Sequence, residues 1–264
     1  MSTRNHWLKY FFGLLAWALA GSPAGALTLD QFDAPKNARV GIFMGTFDPP
    51  HNSHHAVMEA ALATGGLDYV IVIPNDTPLH KPNAYSTEVR LQMLKSLYAV
   101  HPRIITPHKT DFGGSMRIKI IDKIRKTRPD VKLTGIYGTD ILQENLKNKF
   151  ARQTFRKRFD AMFVTTNRPG VEGKMPEKFW GLPTTYATYQ DAQTSSTRIR
   201  NYLKDNPDFL AKPLGEEAGK IADELGIDPR TLHDIHRLRL YSAPEPRSCQ
   251  WFWSALGKVL EPKK

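Results

Sequence analysis

The 264 residues are 41% hydrophobic and 24% charged, an ordinary globular composition with length for one large domain or two small ones; one is expected. A single cysteine, Cys249, excludes an intrachain disulfide scaffold. Lys and Arg outnumber Asp and Glu by 37 to 26, and the formal net charge of +11 favours anionic partners such as nucleotides, nucleic acid or acidic lipid, although most such side chains simply solvate a surface.

At the N-terminus Arg4 and Lys9 precede the apolar run Tyr10 to Ala20, and "SPAGA" supplies small residues at Ala24 and Ala26. This pattern predicts a signal peptide over residues 1–26, hence an exported chain, periplasmic or secreted, and a cytoplasmic one if the signal is spurious. The run is shorter than the ~20 residues a spanning helix requires. From Arg39 onward short β-branched runs alternate with helical patterns. Strands are expected at Val40 to Met44, Tyr69 to Ile73, Ile104 to Thr106, Lys132 to Tyr137 and Ala161 to Thr165. Helices are expected at about His54 to Thr64, Ser86 to Val100, Ser115 to Lys126 and Asp140 to Asn148, where apolar residues recur at spacings of three and four. The alternation predicts an α/β fold, a Rossmann-like doubly wound parallel sheet with a helical C-terminal part, over residues 27–241. After the linker-like "SAPEPR", residues 242–264 form a tail whose Trp251, Phe252, Trp253, Leu256, Val259 and Leu260 make a short apolar helix candidate for a partner, a membrane surface or its own domain.

The first strand runs into "MGTFDPPHNSHH". A strand, a glycine and then a helix start aim free N–H groups at whatever lies above the sheet, which attracts anions. His51 and His54, three apart at that turn, can both donate to phosphate oxygens; Gly45 permits close backbone approach, and Pro49 and Pro50 stiffen the turn. Two alternatives stay open. His51, His54 and His55 have spacings that could ligate zinc, with Asp48 in reach, and His55 could merely cap the helix. Later, in "TSSTRIR", the hydroxyls of Ser195, Ser196 and Thr197 and the amides that follow make a second helix-start anion site, with Arg200 as a fork of donors; a surface helix cap is the alternative.

"GTFDPPHNSHH" resembles the phosphate-binding motif of the His-x-Gly-His nucleotidyltransferase superfamily, and in particular the nicotinate-nucleotide adenylyltransferase family. "IPNDTPLHKP", "RLQMLKSL", "GIYGTD", "NRPG", "TSSTRIRNYL" and "DPRTLHDIHRLRLY" follow in the family's order, so the resemblance covers about residues 39 to 241. It implies an enzyme in which a mononucleotide phosphate attacks the α-phosphorus of ATP in line and releases pyrophosphate, with Mg2+ accompanying ATP and few protein ligands to it. By the same resemblance His51 and His54 would contact the reacting phosphates, and Ser195, Ser196 and Arg200 the outer ones. Gly45, Thr46, Phe47 and Thr197 would line the same phosphate chain, Gly138 and Asp140 would face the adenosine ribose, and Arg168 would frame the adenine. His80 and Lys81 are candidate acceptor contacts. The implied partners are small molecules, ATP and a mononucleotide. Nucleic acid is not expected, because no stacking motif or basic-aromatic stripe accompanies the charge.

The chain departs from the family at several places, among them Met44, which replaces a glycine common at the strand end. Ser53 stands where the motif has glycine, and its hydroxyl could crowd the phosphate or donate to it. "GGSMRIK" replaces a Ser-Tyr-Thr stretch, and the tryptophan expected after "GTD" is missing, with Asn148 near its place and Phe150 close by. The acceptor is therefore less closely defined than ATP. Two other functions remain: an exported, non-catalytic nucleotide-binding protein, or a nucleotidyltransferase with a different acceptor.

Overall fold

In the computed structural model the described residues are 34–76, 81, 83–108, 116–139, 149–166, 176–189, 194–211, 213–215 and 217–241. The expected signal peptide, the tail, the Asp140 to Asn148 helix, His80, Asp140 and Arg168 lie outside them.

Period-two alternation in β1 (Arg39–Gly45) sends Val40 and Ile42 to one side and Phe43 to the other. The same alternation in β2 (Tyr69–Pro74), β4 (Lys132–Gly138) and β5 (Ala161–Thr165) makes the sheet apolar on both faces, as a parallel sheet covered by helices must be. With β3 (Ile104–Ile105), β6 (Lys178–Phe179) and β7 (Leu182–Ala187) the strands lie in the order β3-β2-β1-β4-β5-β7-β6, parallel throughout except for the β6–β7 hairpin. Helices α1 (Asn52–Ala63) and α2 (Thr87–Tyr98) cover one face through Val57, Met58, Ala61, Leu94 and Leu97. Helices α3 (Met116–Thr127) and α4 (Lys149–Arg158) cover the other.

The third layer is the helical C-terminal part: α5 (Ser196–Asp205), α6 (Pro207–Ala211), α7 (Ala218–Leu225) and α8 (Pro229–Arg237). Ile199, Leu203, Leu225, Leu232 and Ile235 bury a separate core that reaches α2 through Val89 and Met93. Ser195 caps α5 by accepting from Arg198 N, and Asp228 caps α8 with Pro229 in the first turn. Among the described residues no helix is long and apolar enough to cross a membrane.

The five expected strands are all present, displaced by about a residue at their ends. α1 starts two residues earlier than the apolar periodicity predicts, because the N-cap is His51 and the first turn is polar. Two elements escaped the apolar pattern for opposite reasons. α4 reads KFARQTFRKR, so cationic that Phe155 is its main packing contact. β7 carries Pro183 and two threonines, and finds its place only by pairing with β5.

Candidate active site

Reversal of strand order between β1 and β4 opens the crevice where a doubly wound sheet binds ligands, and Gly45 and Gly138 end those adjacent strands two residues beyond the paired Phe43 and Ile136. The loop leaving β1 is held through its carbonyls. Gly45 O accepts from Asn75 N (2.7 Å), Thr46 O from Arg90 Nη1 (2.6 Å), Asp48 O from Arg200 Nη1 (2.6 Å) and Pro49 O from Ser196 Oγ (2.9 Å). Donors from α2, α5 and the residue after β2 thus hold the loop's acceptors, a fixed frame from which the α1 start can present its donors. A Cβ at Gly45 would meet the Phe47 ring at 2.9 Å, so the glycine makes room for that ring, which is buried with the backbone of Phe47 at φ +53°.

Phe47 in turn stands edge-on to His54, ring centroids 4.8 Å apart, and the rings of His51 and His54 lie 3.7 Å apart. His51 N donates to His54 Nδ1 (3.2 Å). In a neutral imidazole that bond leaves the proton on Nε2, so His54 is a donor on its other edge. His55 turns away from this pair. It stacks on Tyr98, lies 3.9 Å from Glu59, and lines a cavity with His51, His101, Asp228 and Arg230; burial holds its pKa below the ordinary histidine value. Among the described residues no group of three His, Cys, Asp or Glu could hold a metal ion.

The two helix starts meet. Besides its bond to Asp48 O, Arg200 donates to Thr197 Oγ1 (3.2 Å) and lies 3.9 Å from the Asp48 carboxylate. The Ser195 hydroxyl caps α5 by accepting from Arg198 N (3.2 Å), and Ser196 Oγ donates to Pro49 O, so Ser196 joins α5 to the β1 loop. Ser53 is buried and donates to Thr194 O (3.4 Å), across the same seam. Its hydroxyl thus faces the α5 approach instead of crowding the loop. At the seam's far end Asn52 N donates to Gly226 O (2.9 Å), and a Cβ on Gly226, at φ +65°, would overlap Thr194 Oγ1 at 2.0 Å. Lys81 Nζ donates to Thr46 Oγ1 (3.3 Å), which places it at the loop leaving β1.

Three residues carry more of this frame than their motifs announce. Arg90 is fully buried; its guanidinium reaches Thr46 O, Asn75 O (2.7 Å) and Tyr85 O (2.7 Å), binding the loops after β1 and β2 to α2. Its signal was an arginine among Val89, Leu91, Met93 and Leu94 in an apolar helix. Tyr241, just past α8, donates its hydroxyl to Asp48 Oδ1 (2.7 Å) and its backbone N–H to Tyr85 Oη (2.8 Å). Complete burial next to Asp48 pushes its phenol pKa well above the ordinary value. Asp48 itself is buried between Tyr241 and Arg200.

A Rossmann-like sheet whose β1 loop and α5 start converge at the switch point defines a nucleotidyltransferase, and residues 42–202 match the cytidylyltransferase-like family. The chain belongs to the nicotinate-nucleotide adenylyltransferase family and is an adenylyltransferase acting on a nucleotide. It is 31% identical over 216 residues to the probable nicotinate-nucleotide adenylyltransferase of Chromobacterium violaceum, covering 78% of this chain and 99% of that one. It is 28% identical over 195 residues to nicotinate-nucleotide adenylyltransferase of Bacillus subtilis, covering 72% and 97%. The fold is shared with nicotinic acid mononucleotide adenylyltransferase of Plasmodium falciparum complexed with APC, at TM-score 0.54 and 14% identity over 77% of this chain and 97% of that one.

Proposed function

We propose that this enzyme joins the AMP moiety of ATP to a nicotinate-type mononucleotide. A phosphate oxygen of the acceptor attacks the α-phosphorus in line, the bond from that phosphorus to the β-phosphate oxygen breaks, and pyrophosphate leaves. The attacking phosphate is already anionic, so no protein nucleophile is needed; the work is alignment and charge neutralisation. His51 and His54, on the α1 start, meet the reacting phosphate, with His54 Nε2 as donor. Arg200 and the α5 start, with Ser195, Ser196 and Thr197, hold the leaving phosphates, and Gly45, Thr46 and Phe47 shape the floor. Gly138 with Asp140 and Arg168 take the adenosine side, and Lys81 beside Thr46, with His80 before it, faces the acceptor.

The loop's own acid suits this reading. Asp48 is engaged by Tyr241 and Arg200, so Mg2+ would ride on the triphosphate and not on a protein carboxylate. Bound there it neutralises phosphate charge. The observation that supports the proposal best is the 2.6 Å bond from Arg200 to the carbonyl of Asp48, which brings the two anion-binding helix starts to one loop. Incubation of the purified chain with ATP, Mg2+ and a panel of mononucleotides, followed by pyrophosphate release, tests it. Nicotinate mononucleotide is expected to turn over best, and His54→Ala to lower kcat/KM by about 10²- to 10³-fold with little change in unfolding midpoint. Absence of turnover with every acceptor, while ATP binds, would overturn the proposal in favour of a non-catalytic nucleotide-binding protein.

A further inference from the structure

Behind His51 lies a cavity of about 220 Å³ that the proposed reaction does not use. His51 and His55 of α1, Leu97 and Tyr98 at the end of α2, and Asp228 and Arg230 at the start of α8 wall it. Val100 lines it too and is 54% exposed, the one exposed large hydrophobic residue among the described ones, so apolar surface marks its mouth.

Most polar groups around this cavity are committed to one another. His101 Nδ1 accepts from Ile104 N (2.9 Å) and Arg103 N (3.2 Å), which in a neutral ring leaves the proton on Nε2, 3.1 Å from Glu59 Oε1. Asp228 takes Nε and Nη2 of Arg230, each at 2.9 Å, and caps α8 by accepting from Arg230 N (2.8 Å). Two groups are left over. Tyr98 is buried, and its hydroxyl has no hydrogen-bond partner among the described residues. His55 Nδ1 is likewise buried with none, and His55 Nε2 stands 3.9 Å from Glu59, beyond hydrogen-bond reach. Burial, with Asp228 and Glu59 adding to it, raises the Tyr98 phenol far above its ordinary pKa, so the hydroxyl remains a donor, set among the cavity's charged walls. Buried donors in native folds have partners as a rule, and this one finds none in its own chain.

Size and charge narrow the occupant. A cavity of ~150 Å³ is enough for benzene, so this one suits a single six-membered ring with a small substituent and is too small for a nucleotide. Glu59 and Asp228 are matched by Arg103 and Arg230, a balance that favours no net charge on the ligand. Leu97, Val100 and Pro102 offer apolar contact, and the His55 ring lies over Tyr98 with 26° between their planes, a setting for a flat ring. Tyr98 Oη supplies a donor, and the neutral His55 ring supplies one donor and one acceptor. An amide carries the complementary carbonyl and N–H.

We propose that this cavity binds a neutral single-ring amide, a carboxamide or a lactam, whose carbonyl accepts from Tyr98 Oη and whose N–H donates to His55. His51 separates it from the reacting phosphates, its ring 3.7 Å from that of His54, so the occupant sits where an effector acts on the α1 donors from behind. That effector role rests on the adenylyltransferase reading, whereas the binding site rests on the cavity alone.

Titration of the ¹⁵N-labelled full chain with benzamide and with uracil, followed through its amide resonances, tests the site, with toluene as the ring that lacks an amide. At least one of the two amides is expected to bind with Kd of about 1 mM, shifting Asn52, Val100, His101 and Arg230, and the tighter one tells carboxamide from lactam. Toluene is expected to bind about tenfold more weakly, and Tyr98→Phe to weaken the amide by about tenfold. The unfolding midpoint of that variant should be unchanged or raised, because the lost hydroxyl makes no bond within the chain; if the variant does not fold, His55→Phe carries the same test. Saturating ATP should leave the shifts in place, and the bound amide should lower kcat for pyrophosphate release without changing KM for ATP. No binding by either amide, equal binding by toluene, undiminished binding by the variant, or displacement by ATP would overturn the site, and unaltered turnover would overturn the effector role. Amide binding by a chain that turns over no mononucleotide would refute the proposed reaction and leave the site standing; turnover without amide binding would do the reverse.

Discussion

The carboxyl edge of the sheet and the α3–α4 face both carry cations, and they use them in opposite ways. At the edge, Arg90 is fully buried and gives its guanidinium to Thr46 O, Asn75 O and Tyr85 O, while the partly buried Arg200 gives Nη1 to Asp48 O. On the outer face Lys119, Lys126 and Arg152 stand in solvent. A buried guanidinium must satisfy its donors locally, so it becomes a strut that fixes geometry. An exposed one keeps its hydration and acts at range, where salt screens it. Counting Lys and Arg cannot separate the two; burial does.

The sharpest way to break this contrast is Arg90→Met, which removes the donor to three carbonyls at once. A loss of about 3 kcal/mol or more in stability is expected by urea unfolding, because buried acceptors are left without partners, and Arg90→Lys should recover only part of it, since an ammonium cannot span the same fork. A neutral result would mean that the arginine fills space without holding the loops. Tyr241→Phe is milder. It leaves Asp48 Oδ1 without its hydroxyl donor and is expected to cost ~2 kcal/mol, with kcat falling more than KM rises if Asp48 sets the position of Arg200. Equal kinetics in that variant would confine Tyr241 to a packing role.

The smallest expected effect concerns His55, behind the site. Its folded pKa is depressed, chiefly by burial, with Glu59 and Asp228 pulling upward and His101 and Arg230 downward. The unfolded chain therefore binds the proton more readily, and this contribution to stability is full above about pH 6.5 and is lost as pH falls through the depressed folded value. Unfolding midpoints between pH 7.5 and 5.5 should decline less in His55→Gln than in the parent chain. Glu59, lowered first by its hydrogen bond from His101, acts in a separate and more acid window. Parallel slopes in the two proteins would show that His55 titrates as an exposed histidine does.

Much of this architecture was legible before any coordinates. β-branched runs such as Tyr69 to Ile73 can bury both faces only in a parallel sheet under helices, and that requirement locates β1, β2, β4 and β5 without tertiary information. The paired motifs also pointed to one site, and Arg200 does meet the loop of His51 and His54. Less legible were side chains whose partners lie far along the chain. Ser53 in place of glycine reads locally as a possible clash, yet its partner is Thr194, 141 residues on. Ser196 reads locally as part of a helix start, yet its hydroxyl donates to Pro49 O, 147 residues back, while Ser195 caps α5.

By itself the sequence determined the strands β1 to β5 and the helix start that follows β1, because periodicity, caps and glycine turns are short-range consequences of the chain's own stereochemistry. Tertiary structure alone decided which histidines pair, that Arg90 and Tyr241 brace the loop, and that the two cationic helices α3 and α4 pack on the same face of the sheet. Those outcomes depend on distance and burial between residues widely separated along the chain, quantities that no local pattern encodes.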